Sequence, residues 1–234
     1  MRAMILAAGL GTRMRPLTLK TPKPLLTVAG RALIDYQVER LVELGVDRIV
    51  VNHAWLGEQI ESHLGDGSRW GCEILYSAEE SALETAGGIR RALPLLADRL
   101  DDCFWVVNGD VFTDLTGSQM RGIGLSDNEQ AHLLLVENPF WHPRGDFVLD
   151  PDGKVKAQGD RRLTFSGMSL LRASLFEALV PGNSAPLAPL LRTAIEQGRV
   201  AGTRLQGFWD DIGTPQRLAA LESRMKGDEL NVKG

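Results

Sequence analysis

The sequence predicts an α/β fold with a mostly parallel sheet covered by helices on both faces. Three observations predict it. Short apolar runs alternate with stretches of helical periodicity from the N-terminus to about residue 109, Gly9 ends the first run and Gly45 the first helix, and strands alternating with helices imply a parallel sheet covered on both faces.

The elements follow in order. RAMILAA (2–8) reads as a strand ended by Gly9, and ALIDYQVERLVEL (32–44) as a helix stopped by Gly45. DRIVVNH (47–53), CEILYS (72–77) and CFWVVNG (103–109) read as further strands, with helices near 56–64 and 86–97 between them. Beyond Asp110 the pattern loosens. A helix or loop over 116–130 leads to the strand AHLLLVEN (131–138), and FVLDPDGKVKAQ carries Asp152-Gly153 as a hairpin turn. LTFSGMSLL (163–171) is expected to enter the same sheet, followed by helices near 174–180 and 187–197, two short strands in VAGTRLQGFWDDIG, and a last helix over about 215–226. Residues 1–226 are thus expected to form one domain and 227–234 a tail without structure.

Composition narrows the function. The chain has 234 residues, 44% hydrophobic and 24% charged, enough to bury a full core. No apolar run reaches the roughly 18 residues of a membrane span, and no secretory signal opens the chain, so a cytoplasmic protein with no membrane partner is expected. Cys72 and Cys103 lie in apolar stretches and read as buried free thiols. The net charge of -4 argues against a nucleic-acid partner, but it is unevenly spread. Residues 1–34 hold Arg2, Arg13, Arg15, Lys20, Lys23 and Arg31 and no acid, so an anion is expected near the N-terminus.

The loop that follows the first strand, LAAGLGTRMRPLTLKTPKPLL (6–26), supplies the sharpest signal. Glycines directly after a first strand allow a close approach of the backbone to a phosphate. A dinucleotide-binding turn does not fit, because Met14 stands where the third glycine belongs and Pro16, Pro22 and Pro24 forbid an immediate helix. No Gly-Lys-Ser/Thr follows, which excludes a Walker A loop. What remains is a long, proline-stiffened cationic loop suited to wrapping a triphosphate, with backbone N–H groups around Leu10 to Arg13 on phosphate oxygens.

Gly9-x-Gly11-Thr12-Arg13 followed by Pro22-Lys23-Pro24 resembles the signature of the sugar-phosphate nucleotidyltransferases. The resemblance extends from Met1 to about Met225 and implies a Rossmann-like three-layer α/β/α nucleotidyltransferase fold with a mixed, mostly parallel central sheet. It implies that Ala8, Gly9, Gly11, Thr12, Arg13 and Lys23 bind the nucleotide, with Arg13 and Lys23 assisting the chemistry. Asn108-Gly109-Asp110 matches the family's G-D element and Trp209 to Thr214 its W-x-D-x-G-T segment, so Asp110 and Asp211 are the expected ligands of a Mg2+ cofactor. Thr214 before Pro215 also reads as the cap and first residue of the last helix, a role that needs no catalysis.

Glu79 to Gly88 occupies the position where this family reads the base, which makes Glu79, Glu80, Ala82 and Thr85 candidates. A carboxylate there could accept protons from uracil or guanine, so the residues alone leave UTP and GTP open. On the sugar side, Asn108 and Gly167 match family positions, while the lysine of the family's Glu-Lys-Pro is absent from Gln158 to Arg162. Arg161 or Arg162 is expected to meet the sugar 1-phosphate or a further acid on the substrate. Within the family the compact length, the GLGTRMRPLT start and the E-T-A-G-G segment look most similar to uridylyltransferases of cell-wall recycling, whose partners are UTP and a carboxylate-bearing sugar 1-phosphate. Guanylyltransferases of mannose 1-phosphate are the runner-up, and a monomer or small homo-oligomer is expected. The alternative outside catalysis is a sugar-nucleotide sensor, which should have lost one of Arg13, Lys23, Asp110 or Asp211; all four are present.

Overall fold

A computed structural model describes residues 1–81 and 83–232, with side-chain environments through Gly227. The chain opens with strand β1 (Arg2–Leu6), the long loop, a small hairpin of β2 (Thr27–Val28) and β3 (Arg31–Ala32), and helix α1 (Leu33–Leu44). It alternates through β4 (Arg48–His53), α2 (Gly57–Leu64), β5 (Glu73–Ala78), α3 (Glu84–Leu96) and β6 (Cys103–Asn108). Then come β7 (Val111–Thr113), α4 (Gly117–Met120), β8 (Ala131–Val136), β9 (Phe147–Leu149), β10 (Val155–Lys156) and β11 (Arg162–Arg172). The last elements are α5 (Leu187–Glu196), β12 (Val200–Arg204), β13 (Trp209–Asp211) and α6 (Pro215–Val232).

The nine-stranded sheet is mixed and mostly parallel at its centre. β1 lies between β4 and β6 and is parallel to both, β5 extends the sheet beyond β4, and β11 runs antiparallel between β6 and β8. β12 adds to β8 in parallel, and β9 and β10 extend the first residues of β11. The chain leaves β1 toward β4 and β5, then returns to β6 on the other side of β1. The crevice at the carboxyl ends of β1 and β6 is therefore a topological switch point, where ligands bind in open α/β sheets.

Alternation along each strand builds the layers. Ala3 and Ile5 of β1 pack with Ile34, Val38 and Leu41 of α1 and Ile60 of α2, whereas Met4, between them, packs with Ile89 and Leu93 of α3 and Leu191 of α5. A third cluster, Met14, Leu26, Val28, Leu33, Phe112, Ile212 and Leu221, lies under the N-terminal loop and joins it to α6. Met14, the residue that breaks the dinucleotide pattern, is fully buried there and anchors the loop.

Several expectations are corrected. Cys103 is exposed and Cys72 half-buried, because Cys103 is the first residue of β6, where the covering helices do not reach, and Cys72 lies in the turn before β5. The helix expected near 174–180 is a single 3₁₀ turn, Ala173–Phe176, cut short by the approach of Pro181 and Gly182. Over 116–130 only α4 is helical; Thr116 caps it by accepting from the Gln119 N–H. The last helix extends past residue 226 to Val232; the expected tail otherwise falls on residues 233–234, which lie outside the described residues. Among the described residues no helix is long and apolar enough to cross a membrane.

One strand residue makes stability sensitive to acid. His132 of β8 has its imidazole pushed below the ordinary value of 6.5 by burial, and its Nε2 lies 2.9 Å from Thr203 Oγ1. The unfolded chain takes up that proton first, so this contribution is complete above the ordinary histidine value and is lost as pH falls below it. The difference in Tm between wild type and His132→Gln should shrink as pH is lowered from about 7 to 5, measured by thermal unfolding.

Candidate active site

The N-terminal loop folds as three successive 3₁₀ turns, Thr12–Met14, Leu17–Leu19 and Lys23–Leu25. Gly11 takes a left-handed backbone, φ 59°, and Thr18 Oγ1 donates to its carbonyl at 2.7 Å. Trp55 Nε1 and Gln59 Nε2 donate to the carbonyls of Thr18 and Lys20, each at 3.1 Å, and so tie the loop to the start of α2. Thr12 and Arg13 are left exposed on the outer turn, while Lys23 is buried and ion-paired with Asp110 Oδ2.

A cavity of about 290 Å³ opens at the switch point. Ala8, Gly9 and Lys23 line it from the loop, Asn108 and Asp110 from the end of β6, and Glu79 and Thr85 from the segment around the start of α3. Glu79 and Glu80 thereby part company: Glu79 is 7% exposed and lines the cavity, whereas Glu80 is exposed and does not line it. Ala82 lies outside the described residues.

Glu79 is held by a ladder that the sequence analysis did not identify. The Ala7 N–H donates to Asn52 Oδ1 at 2.9 Å, Asn52 Nδ2 donates to Glu79 Oε1 at 2.6 Å, and the Leu83 N–H donates to Glu79 Oε2 at 3.3 Å. A Cβ on Gly88 would lie 2.6 Å from Glu79 Oε1, so the second glycine of E-T-A-G-G makes room for this carboxylate. A signal for Asn52 existed, since a polar side chain at the carboxyl end of an apolar parallel strand points to the ligand edge.

A second cavity, about 530 Å³, adjoins the first and shares Leu6, Glu84, Thr85 and Asn108 with it. Gly167 lines it at a break in the β11 register, φ 77°, and a Cβ there would meet Asn108 Nδ2 at 2.6 Å. Glu84 stands between the two cavities with a left-handed backbone, φ 55°, rare for a residue with a side chain. Arg192 of α5 brings a cation to this second cavity. Arg161 and Arg162, expected at the sugar from their nearness to Gly167 in sequence, line none of the cavities described here. Arg162 pairs with Val148 of β9, and extended chain carries it about 16 Å from Gly167 at roughly 3.3 Å per residue. Arg192 carries no signal in the sequence beyond being a polar residue of an amphipathic helix.

The carboxylates meet through β13, which pairs with β7 so that Asp211 stands opposite Val111, next to Asp110, and the Ile212 N–H donates to the Asp110 carbonyl at 2.9 Å. Asp211 also lines a third cavity, about 220 Å³, with Asn108, Trp141, Gly167 and Trp209. Burial pushes the Asp211 carboxyl up; the Arg217, Lys23 and Arg13 charges oppose this and the Asp110 charge adds to it. Burial likewise raises Asp210, to about 6. Asp211 Oδ1 is buried and lacks a hydrogen-bond partner, although Arg217 Nη1 lies 2.5 Å away as its charge partner. Two neighbouring carboxylates offer hard oxygen ligands, a donor set that fits a divalent cation. Among the described residues no group of three or more His, Cys, Asp or Glu is arranged for a metal, so the remaining ligands would come from phosphates and water. Asp110 and Asp211 are the residues that would hold it. Thr214 meanwhile caps α6, its Oγ1 accepting from the Arg217 N–H at 3.3 Å, the structural role that Thr214-Pro215 carries in the sequence.

The Asn52 ladder yields a test. Asn52→Ala strips a partner from the Ala7 N–H and from the Glu79 carboxylate, both at buried residues, and should lower stability by about 2–4 kcal/mol in urea unfolding.

Residues 2–136 match the family model described as "Nucleotidyl transferase". The chain is 52% identical over 228 residues, 95% of its length and 97% of the relative's, to the N-acetylmuramate alpha-1-phosphate uridylyltransferase of Neisseria meningitidis serogroup B. It is 36% identical over 236 residues to the enzyme of that name from Caulobacter vibrioides, covering 95% of this chain and 96% of that one. In structure it resembles HddC from Yersinia pseudotuberculosis, solved in complex with GMP-PN, with a TM-score of 0.76 at 21% identity over 96% of this chain and 99% of that one. The glycine-rich cationic loop, the carboxylates beside it and the Rossmann-like sheet that brings them together are those of an enzyme, and the chain belongs to the nucleotidyl transferase family.

Proposed function

We propose that the protein transfers UMP from UTP to N-acetylmuramic acid α-1-phosphate, giving the UDP-sugar and pyrophosphate. The observation that carries this reading is the pair of adjoining cavities around Lys23, Asp110 and Asn108, one on the side of the phosphate loop and the other provided with Arg192. The choice of uracil and of this sugar is supported by the 52% identical relative that bears the name of that activity.

The acceptor phosphate is already an anion at neutral pH, so its oxygen attacks the α-phosphorus without a general base. A bond forms between that oxygen and the α-phosphorus as the bond to the β-phosphate bridging oxygen breaks, and pyrophosphate leaves with the electron pair. Charge builds on the transferring group, and the chain's task is to place cations against it. Lys23, held over Asp110, and Arg13, at the loop's outer turn, supply two of them. Asp110 and Asp211 would hold the Mg2+, whose charge polarises the phosphates when bound. Glu79, kept in place by Asn52, faces the base. Arg192 lines the acceptor cavity, where a buried substrate carboxylate needs a cationic partner.

Pyrophosphate release across UTP, GTP, CTP and dTTP, each with a panel of sugar 1-phosphates, tests the assignment; a preference for GTP with mannose 1-phosphate would overturn it. Asp110→Ala and Asp211→Ala should each lower turnover by at least about 100-fold, and Lys23→Ala by a similar order. Near-normal rates in either aspartate variant would sink the two-carboxylate site. Arg192→Ala should reduce discrimination between the 1-phosphates of N-acetylmuramic acid and N-acetylglucosamine by roughly 10-fold, about 1.5–3 kcal/mol, while Arg161→Ala should leave the ratio near that of wild type.

A further inference from the structure

Arg217, in the first turn of α6, belongs to none of the sequence motifs, yet its guanidinium stands where the carboxylate strand meets the acceptor side. Nη1 lies 2.5 Å from Asp211 Oδ1 and 3.5 Å from Asp210 Oδ1. The same guanidinium sits 4.2 Å above the centroid of Trp141, in the loop between β8 and β9. Trp141 lines the cavity shared by Asn108, Gly167 and Asp211, and its ring lies 6.0 Å from that of Trp209.

The chain makes room for this arrangement. A Cβ on Gly213 would fall 2.1 Å from Arg217 Nη2 and 3.0 Å from Asp211 Oδ1. Gly213 is not among the glycines of positive φ, so a side chain there would act through space and not backbone conformation, by displacing the Arg217 guanidinium. The side chain is only 12% exposed, unlike the surface pairs whose net worth is small. Asp210 and Asp211 bring two half-buried carboxylates side by side, and a cation between them offsets their repulsion. The plane of the guanidinium does a different thing: it covers one face of an indole, which an ammonium cannot do with the same geometry.

We propose that Arg217 is a positioning residue with two separable duties: its charge holds Asp211 in place, and its planar guanidinium braces Trp141 in the wall of the third cavity, which shares Asn108, Phe165 and Gly167 with the acceptor cavity. The proposal rests on the reading above, in which Asp211 serves the reaction and the sugar 1-phosphate occupies the second cavity, whose residues Asn108, Phe165 and Gly167 also line the cavity beside Trp141.

Steady-state kinetics on Arg217→Lys, Arg217→Ala, Trp141→Ala and the double Ala variant, with thermal unfolding of each, test it. Arg217→Ala should lower kcat by about 10-fold or more and raise the acceptor KM by about 5-fold, with the UTP KM moving less than about 2-fold. Arg217→Lys should recover kcat to within about 3-fold of wild type while the acceptor KM stays raised, because lysine restores the charge and not the plane. Trp141→Ala should raise the acceptor KM, and the double variant should be no worse in that KM than Arg217→Ala, since residues acting through one contact are not additive. A lower Tm with kcat and both KM values near wild type would make Arg217 a mere strut and overturn the proposal. So would a lysine variant as slow as the alanine variant, or KM effects that multiply in the double variant. Should Arg217→Ala fail to fold, a wild-type acceptor KM in Arg217→Lys overturns the bracing duty. Asp211→Asn at the wild-type rate would instead refute the two-carboxylate reading; if it is inactive while the Arg217 variants are normal, only the present proposal falls.

Discussion

The ion pair between Lys23 and Asp110 joins the two parts of the chain from which the site is built. Asp110 follows β6, while Lys23 ends a loop of about 20 residues that has no ladder of its own to hold it against the sheet. Left to itself such a segment would sample many conformations. Burial of Met14 at one turn and of Lys23 at another fixes it at two points, and Thr18, bonded to Gly11 and to Trp55, fixes it at a third. The pair does not add much to stability by itself, because removing two charges from water offsets most of their attraction. Its consequence is register: the glycine-rich turn stands above the carboxyl ends of β1 and β6.

Glycine serves a second constraint, that polar side chains must pass close to backbone at a crowded edge. Gly88 admits the Glu79 carboxylate and Gly167 admits the Asn108 amide; in each case a Cβ would lie 2.6 Å from a side-chain polar atom. The polar groups so admitted are largely paired, as in the ladder from Ala7 through Asn52 to Glu79. Asp211 Oδ1 is paired in another way, with the Arg217 guanidinium, Nη1 at 2.5 Å, as its charge partner.

The chemistry asked of these residues is placement of charge. A direct in-line transfer, as proposed above, needs no covalent help from the protein, so cations fixed in advance do most of what the enzyme can do. Lys23 and Arg13 differ in this respect. Lys23 is buried and committed to Asp110, whereas Arg13 is exposed on the outer turn of the loop.

Sequence alone determined the α/β alternation, because burial on both faces of a parallel sheet leaves continuous apolar runs and the helices between them keep their own period. It also pointed to the loop around Gly11 and Lys23 and to Asp110 and Asp211, since local motifs carry their spacing with them. Only the tertiary structure decided which residues meet across the crevice. Arg161 and Arg162 are near Gly167 in sequence, but extended backbone carries Arg162 away, while Arg192, 25 positions beyond Gly167, returns to the same cavity on α5. Glu79 was separated from Glu80 by burial, a property that no pattern in two adjacent glutamates contains. Arg217 was invisible for the same reason: its partners Asp211 and Trp141 are brought to it by the pairing of β13 with β7 and by the path of the loop after β8, and such contacts are set by packing between distant segments.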